Sequence, residues 1–415
     1  MRKRGNLTQG RDRVPPPVLT TTTRNAEGDQ SKQQKGSSAK KKPWYRRLTT
    51  LAKIIFVLLI VPPFLNYAAL QKEMAELMPE GQLYDVGWGQ KLFMSCKGKG
   101  TPTVILDAPT GMTSDVWSLA VPLIAKVTKV CVYDRAGLGF SERPRRNMSS
   151  PDMPEDTQAA DQNFRDKMVP FSAETMVEDF TVLFTQASQQ EVPFILVGAE
   201  IGAIVAEFYT QLYEGNVAGL VLINPLSEDI FKQQNSVWSQ FWFGHLLPSF
   251  QSLQLGAAVG LTRIALLLGL VHQPLQLADL PEEIVNRQKH LLCHPRHMSS
   301  VVDEHHFINE TFDQLRLVRR MKQFPGNISV MIMTGNYYDE QLPSQLNKAW
   351  AKSEQNLISQ RFPNAQQIVI NGADHHMLYR KPLAVAEPIN RMVRLYRQKH
   401  RPVKAPILTE KIKTS

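Results

Sequence analysis

Cysteine is scarce in this chain of 415 residues: Cys96, Cys131 and Cys293 are the only three. Three thiols cannot build a disulfide framework, so an apolar core must hold the fold. One pair could still form in an oxidising lumen. Cys131 lies in the apolar run Lys129–Tyr133, where a small buried thiol is the expected role. A basic excess is missing where a nucleic-acid-binding domain would need it. The formal charge is +10, but residues 1–53 hold 14 basic and 3 acidic side chains, a net +11 that leaves −1 for the remainder. The main domain is nearly neutral, which argues against a nucleic-acid-binding domain, and no nucleic-acid partner is expected. Dinucleotide glycines are lacking too. Gly137-x-Gly139 is followed by Glu142 rather than a third glycine, so it reads as a structural turn, and no cofactor is expected.

Long hydrophobic runs are missing but for one. Residues 1–47 are rich in Ser, Thr, Gln, Lys and Pro and predict a disordered basic tail. Ile54–Val61, Pro62-Pro63 and Phe64–Leu70 follow, with no charge between Lys53 and Lys72. A spanning helix needs roughly 17–25 apolar residues, so a transmembrane signal anchor over 48–71 is at the short end, and the proline pair predicts a bend. A cleaved signal peptide is disfavoured by the long preceding region and the lack of a clean cleavage site. The basic flank on one side only favours an anchor over a buried core helix. The positive-inside rule then predicts a single-pass type II protein, with membrane lipid around the anchor and the domain in the secretory lumen or outside the cell. Asn147, Asn309 and Asn327 head glycosylation triplets that fit this side, although such triplets also arise by chance.

From residue 83 to 397 short apolar strands alternate with amphipathic helices. The strand candidates are Lys91–Cys96, Thr103–Asp107, Val130–Asp134, Phe194–Gly198, Gly219–Asn224, Ser329–Thr334 and Gln367–Ile370. Helices such as Ala173–Ala187 and Ile201–Tyr213 fall between them. This alternation predicts an α/β fold with a mostly parallel sheet covered on both faces. Residues 226–325 break it and read as an inserted helical cap. Trp238, Phe241, Trp242 and Phe243 there suggest a greasy substrate or a lid facing the membrane. Residues 398–415 form a basic C-terminal tail.

The segment Phe194–Ala206 decides the reading. An apolar strand ends in Gly198-Ala199-Glu200-Ile201-Gly202 and passes straight into a helix. Glycines on either side let a residue sit in a strained strand-to-helix turn at a helix N-terminus, where a carboxylate is favoured. Other landmarks follow in order: Asp107–Gly111 with Trp117 after it, Tyr133–Ser141, Gly219–Pro225, Met331–Gly335 with Asp339, and Ala373–His376 with Pro382. Together these resemble the α/β-hydrolase superfamily, with glutamate where a serine nucleophile usually stands. The resemblance implies Glu200, His375 and Asp339 as the catalytic set, with Thr110 and Ile201 offering oxyanion N–H groups. Asp339 comes one residue later than the usual spacing, and Asn224 is a poor substitute for it. Asp134 and Arg135 read as turn-fixing.

Two function classes follow. One is hydrolysis of a small apolar ester, epoxide or halide through a carboxylate nucleophile, as in haloalkane dehalogenases and epoxide hydrolases, which carry aspartate at the elbow. Glutamate adds a methylene and moves the attacking oxygen outward by about 1.5 Å, a misplacement the pocket must match. The alternative is a catalytically inactive pseudohydrolase that binds a ligand or partner, as the N-myc downstream-regulated group resembles, with Glu200 paired to His375. Glu200 as a general base for water lies between them. His290, Cys293, His294 and His297 have helical spacing, but Pro295 interrupts it. Exposed cap polarity is the better reading, and no metal is expected.

Overall fold

The computed structural model describes residues 44–144 and 170–400, apart from 88, 233–235, 277–279, 337–338 and 340–341. The expected N-terminal tail up to residue 43, the C-terminal tail from 401, and Asn147 lie outside the described residues. The chain divides into two units, Met1–Lys53 and Ile54–Ser415. Of the first, only the opening of helix α1 is described.

α1 (Trp44–Leu77) runs through Pro62 and Pro63 as one helix, and continues beyond the expected end at residue 71. Its apolar stretch is almost wholly exposed.

Eight strands form one sheet: β1 (Gln82–Asp85), β2 (Lys91–Lys97), β3 (Thr103–Asp107), β4 (Val130–Tyr133), β5 (Phe194–Ala199), β6 (Val217–Ile223), β7 (Val330–Gly335) and β8 (Gln366–Ile370). Their spatial order is β1-β2-β4-β3-β5-β6-β7-β8; β2 runs antiparallel to both its neighbours, β1 and β4, and the remaining pairs are parallel. The seven strands expected from the apolar runs are present within a residue or two. β1 is the addition. It is a short edge strand, mostly exposed, whose Gln-Leu-Tyr-Asp sequence carries too little apolar signal to announce it. By contrast, β3, β4 and β5 are buried at every position, as continuous apolar runs in a doubly covered sheet must be.

Helices cover both faces. On one side α3 (Ala173–Thr181, continued by a π turn to Ala187), α4 (Ile201–Leu212), α10 (Ile308–Met321) and α11 (Ser344–Arg361) pack over Leu196, Leu220 and Ile332. On the other α2 (Val121–Ala125), α12 (Met377–Arg380) and α13 (Pro382–Lys399) pack with Trp117 over Val104, Val197 and Val221. Residues 398 and 399, expected in the tail, close α13. The cap lies between β6 and β7: α5 (Val237–Phe241), α6 (Leu247–Ala258), α7 (Leu261–Leu267), α8 (Glu282–Cys293), α9 (Pro295–His306) and α10.

Two expectations are corrected. Trp238 and Trp242 do not form a membrane-facing lid; they are buried in the main core and donate Nε1–H to the carbonyls of Leu346 (2.9 Å) and His305 (2.8 Å). Phe241 and Phe243 pack against the same core, half-buried. Cys131 is not a free buried thiol. It faces Cys96 directly across β2 and β4 and is disulfide-bonded to it. The antiparallel β2–β4 pairing brings the two together, which spacing along the chain cannot reveal.

This disulfide closes a loop with a sequence separation of 35. Cys96→Ser with Cys131→Ser should lower the unfolding free energy by about 2–4 kcal/mol, measured by denaturant titration. Alkylation of both thiols in unreduced, denatured protein would show that the bond does not form.

Candidate functional site

β5 ends at Ala199, α4 begins at Ile201, and Glu200 between them adopts φ 50° and ψ −112°. That positive φ is unfavourable for a residue with a Cβ and persists only where its surroundings enforce it. The Glu200 N–H donates to the Ile223 carbonyl (3.1 Å), and its own carbonyl accepts from Ala203 N–H (3.1 Å). Both glycines are sterically compelled. A Cβ on Gly198 would lie 2.1 Å from the Gly202 carbonyl oxygen, and one on Gly202 would lie 2.8 Å from that of Ala108.

The loop after β3 comes to meet the elbow. Thr110 donates its backbone N–H to Glu200 Oε2 at 3.2 Å. Ile201, first residue of α4, has no intrahelical acceptor for its N–H. Burial raises the Glu200 pKa above the ordinary carboxylate value, opposed by hydrogen bonding from Thr110 and by the nearby charge of Arg135.

Arg135 organises this loop. It is 3% exposed and uses all five of its N–H donors. Nε and Nη2 reach Glu304 of α9 at 2.7 and 2.9 Å, Nη1 reaches Asp107 and the Ala108 carbonyl, and Nη2 also reaches the Pro109 carbonyl at 2.8 Å. Glu304 is completely buried and accepts Gly111 N–H at 2.8 Å. The Tyr133 hydroxyl donates to the other Asp107 oxygen at 2.7 Å. Asp134, by contrast, does fix the turn: it accepts from the N–H groups of Ser114 (2.7 Å) and Phe140 (3.4 Å). Sequence reasoning merged Arg135 into that turn and passed over Glu304, which sits in a polar stretch of α9 with no motif around it.

His375 lies in the loop between β8 and α12, its ring edge-on to Trp350 at 4.5 Å. Burial lowers its pKa to about 4, against the charge of Asp339, which raises it. His375 is therefore neutral at neutral pH. Asp339 follows β7 and is buried; its backbone N–H and carbonyl are held by the Asn347 side chain at 3.0 and 3.1 Å. His375 lines a cavity of about 190 Å³ with Asn224, Trp350, Glu354 and Asp374, and Glu200 does not line it. Within that lining, burial raises Glu354 to about 7. No hydrogen bond or ion pair joins Glu200 to His375; among the described residues Thr110 is the hydrogen-bond donor to the Glu200 carboxylate.

A family model described as alpha/beta hydrolase fold matches residues 103–292, from β3 through α8. Solved structures match over most of their length. The Cif epoxide hydrolase from Acinetobacter nosocomialis has 13% identity and a TM-score of 0.55, covering 80% of this chain and 96% of that one. A "putative lipase" from Acinetobacter baumannii has 16% identity and a TM-score of 0.52, covering 80% and 97%. Cfl2 from Burkholderia cenocepacia has 14% identity and a TM-score of 0.51, covering 75% and 94%. The chain has the α/β-hydrolase fold. No curated protein matches it in sequence.

In this hydrolase fold the histidine cluster of the cap is not exposed polarity, as expected, but buried structure. His290, Cys293 and His297 are 2%, 1% and 7% exposed. His290 Nδ1 lies 2.9 Å from Glu73, His294 Nδ1 accepts from His297 N–H at the start of α9, and His297 Nδ1 accepts from Gly139 N–H at 3.1 Å. No group of three or more His, Cys, Asp or Glu side chains is placed to hold a metal among the described residues.

Glu304→Ala should destabilise the hydrolase fold by roughly 3–5 kcal/mol, because it leaves Arg135 buried with two donors unanswered. Glu304→Gln, which keeps the shape and one acceptor, should cost less. Denaturant unfolding reads both, and equal costs would show that the cation is not the reason.

Proposed function

We propose that the chain is a membrane-anchored hydrolase that opens a small apolar epoxide or halide with Glu200 as a carboxylate nucleophile. One observation carries this reading: the Thr110 N–H points at an oxygen of Glu200 itself. With a serine nucleophile the oxyanion develops on the substrate, so the donors must stay open for it. With a carboxylate nucleophile the intermediate is an ester of Glu200, and hydrolysis builds the oxyanion on the residue's own oxygen. A donor already on Oε2 then serves that step. The same engagement makes acyl attack on an ester substrate the poorer fit.

The steps balance as follows. Glu200 Oε1 attacks an electrophilic carbon, whose bond to the epoxide oxygen or halide breaks; halide leaves as the anion, and an opened epoxide oxygen takes a proton from solvent water. His375, neutral at neutral pH, removes a proton from water, and the hydroxide adds to Cδ of the ester. The oxyanion on Oε2 faces Thr110 N–H, with Ile201 N–H as second donor; collapse breaks the Cδ–Oε1 bond, the departing alkoxide takes the proton from His375, and the regenerated Glu200 carboxyl, now carrying the water oxygen, loses its proton to solvent. A serine needs the histidine in contact to take its proton. An ionised carboxylate does not, so a Glu200 that makes no hydrogen bond to His375 suits this chemistry. Asp339 supplies the charge that supports protonated His375.

A binder without turnover is the second reading, favoured by the absence of Glu200 from the His375 cavity. It does not rest on a Glu200–His375 ion pair. The topology proposed is type II, with the domain in the lumen or outside the cell. The Cys96–Cys131 bond and the exposed positions of Asn309 and Asn327 support that side. Glycosidase-sensitive mass at either asparagine is expected; digestion of the domain by protease in sealed microsomes would overturn the topology.

Glu200→Gln should abolish turnover of epoxide and haloalkane probes, and His375→Gln should accumulate a covalent adduct visible by intact mass. Turnover requires ionised Glu200, so activity should hold above its raised pKa and fall as pH drops through it. That limb should lie above the range of an ordinary glutamate. Wild-type turnover surviving in Glu200→Gln would end the nucleophile assignment. No turnover of either probe class and no adduct would favour the binder.

A further inference from the structure

The C-terminal half of α1 does not stand free. Pro62, Pro63, Asn66, Leu70, Glu73 and Leu77 form one helical stripe that is less exposed than its flanks, and several of them touch the cap. Asn66 is 3% exposed and donates to the carbonyls of Ala257 (3.1 Å) and Cys293 (3.0 Å), and accepts from Arg263 Nε (2.9 Å). Arg263 also grips both oxygens of Glu73, at 2.6 and 2.8 Å. Gly260, at the corner between α6 and α7, backs onto α1 so closely that a Cβ there would lie 2.4 Å from the Pro62 carbonyl oxygen. The α5–α6 run and α7 meet at this corner with a bend of 101°.

The cap side of this joint is apolar where it faces outward. Leu255, Leu261, Leu267, Leu268 and Leu270 are 66%, 53%, 82%, 68% and 73% exposed. Between Lys232 and Asp279 the only Asp, Glu, Lys or Arg is Arg263, and Glu73 neutralises it. A contiguous apolar surface of this kind marks an interaction site.

We propose that the α6–α7 corner inserts into the lipid bilayer beside α1, so that the cap sits partly in the membrane that α1 spans. The inference rests on the reading of α1 as an anchor. Its support is continuity. At 1.5 Å per residue Pro62 lies about 16 Å before Glu73 along α1, well inside a hydrocarbon layer about 30 Å thick. Gly260 touches α1 at that depth, so the neighbouring leucines share the layer. The polar atoms on the docked stripe are answered by the cap, as backbone and amide groups in hydrocarbon must be. The corner also lengthens the apolar contact of an anchor that is short by itself.

The test uses the full chain in phosphatidylcholine vesicles, some lipids carrying a spin label on the acyl chain. Single cysteines replace Leu267, Leu268, Phe56 of α1, or Leu383 of α13 as an aqueous control, and each carries an environment-sensitive fluorophore. Unsubstituted protein corrects for labelling of buried Cys293. Leu267→Cys and Leu268→Cys should lose most of their fluorescence to the lipid quencher and little to iodide, matching Phe56→Cys and opposite to Leu383→Cys. If Phe56→Cys is lipid-quenched while the cap positions follow Leu383→Cys, the inserted corner is overturned and the anchor stands. If the cap positions are shielded from both quenchers, a protein surface covers them and the proposal falls. If Phe56→Cys itself is quenched only by iodide, the anchor reading fails and this inference with it.

Discussion

A buried guanidinium is the constraint on which the rest of this site depends. Taking Arg135 out of water is costly unless every donor is answered, and here two carboxylates and two carbonyls answer all five. Three parts of the chain are thereby tied to one charge. Arg135 comes from the turn after β4, Asp107 from the end of β3 with Ala108 and Pro109 in the loop after it, and Glu304 from the cap. The loop that offers Thr110 N–H to Glu200 is held by its neighbours on both sides, since Gly111 is bound by Glu304. Displacing the cap would uncover Arg135, so cap and loop must keep their relation if the site is to keep its shape.

The elbow was legible because its demands are local. A strand of six buried residues, a glycine two positions either side of Glu200, and an apolar helix afterwards leave few alternatives, and the contacts that Cβ atoms would make at Gly198 and Gly202 show why. The parallel strands were legible for a similar reason: burial on both faces writes a continuous apolar run into the sequence. Thr110 was found because the loop that carries it follows β3 at a short, fixed distance.

What stayed hidden depends on register or on distant partners. The Cys96–Cys131 bond needs β2 to run antiparallel beside β4. Glu304 is separated from Arg135 by 169 residues, and nothing in its neighbourhood distinguishes it from an ordinary polar position on a helix. The cap aromatics misled because residue type gives hydrophobicity but not direction: Trp238 and Trp242 face the core, while the plainer leucines of α7 face outward. The histidine cluster misled in the opposite sense. Its imidazoles look like ligands or surface polarity in sequence, yet each is a hydrogen-bonding group, His290 and His297 are buried, and His290 receives Glu73 from α1.

Charge balance around Arg135 bears on the residue at the elbow. Asp107 and Glu304 already face the single cation, and Glu200 adds a third carboxylate that is not bonded to it. Arg135 therefore lowers the Glu200 pKa only in part, and burial wins. A carboxylate with a raised pKa is more basic and hence a stronger nucleophile once ionised, while the Thr110 N–H keeps the ionised form within reach. Serine at the same place would leave Thr110 N–H without its carboxylate and would need a histidine in contact to take its proton. Among the described residues no hydrogen bond joins His375 to Glu200. The contacts of position 200 are those of a carboxylate held by a backbone donor, and they support the proposed carboxylate chemistry over the serine mechanism.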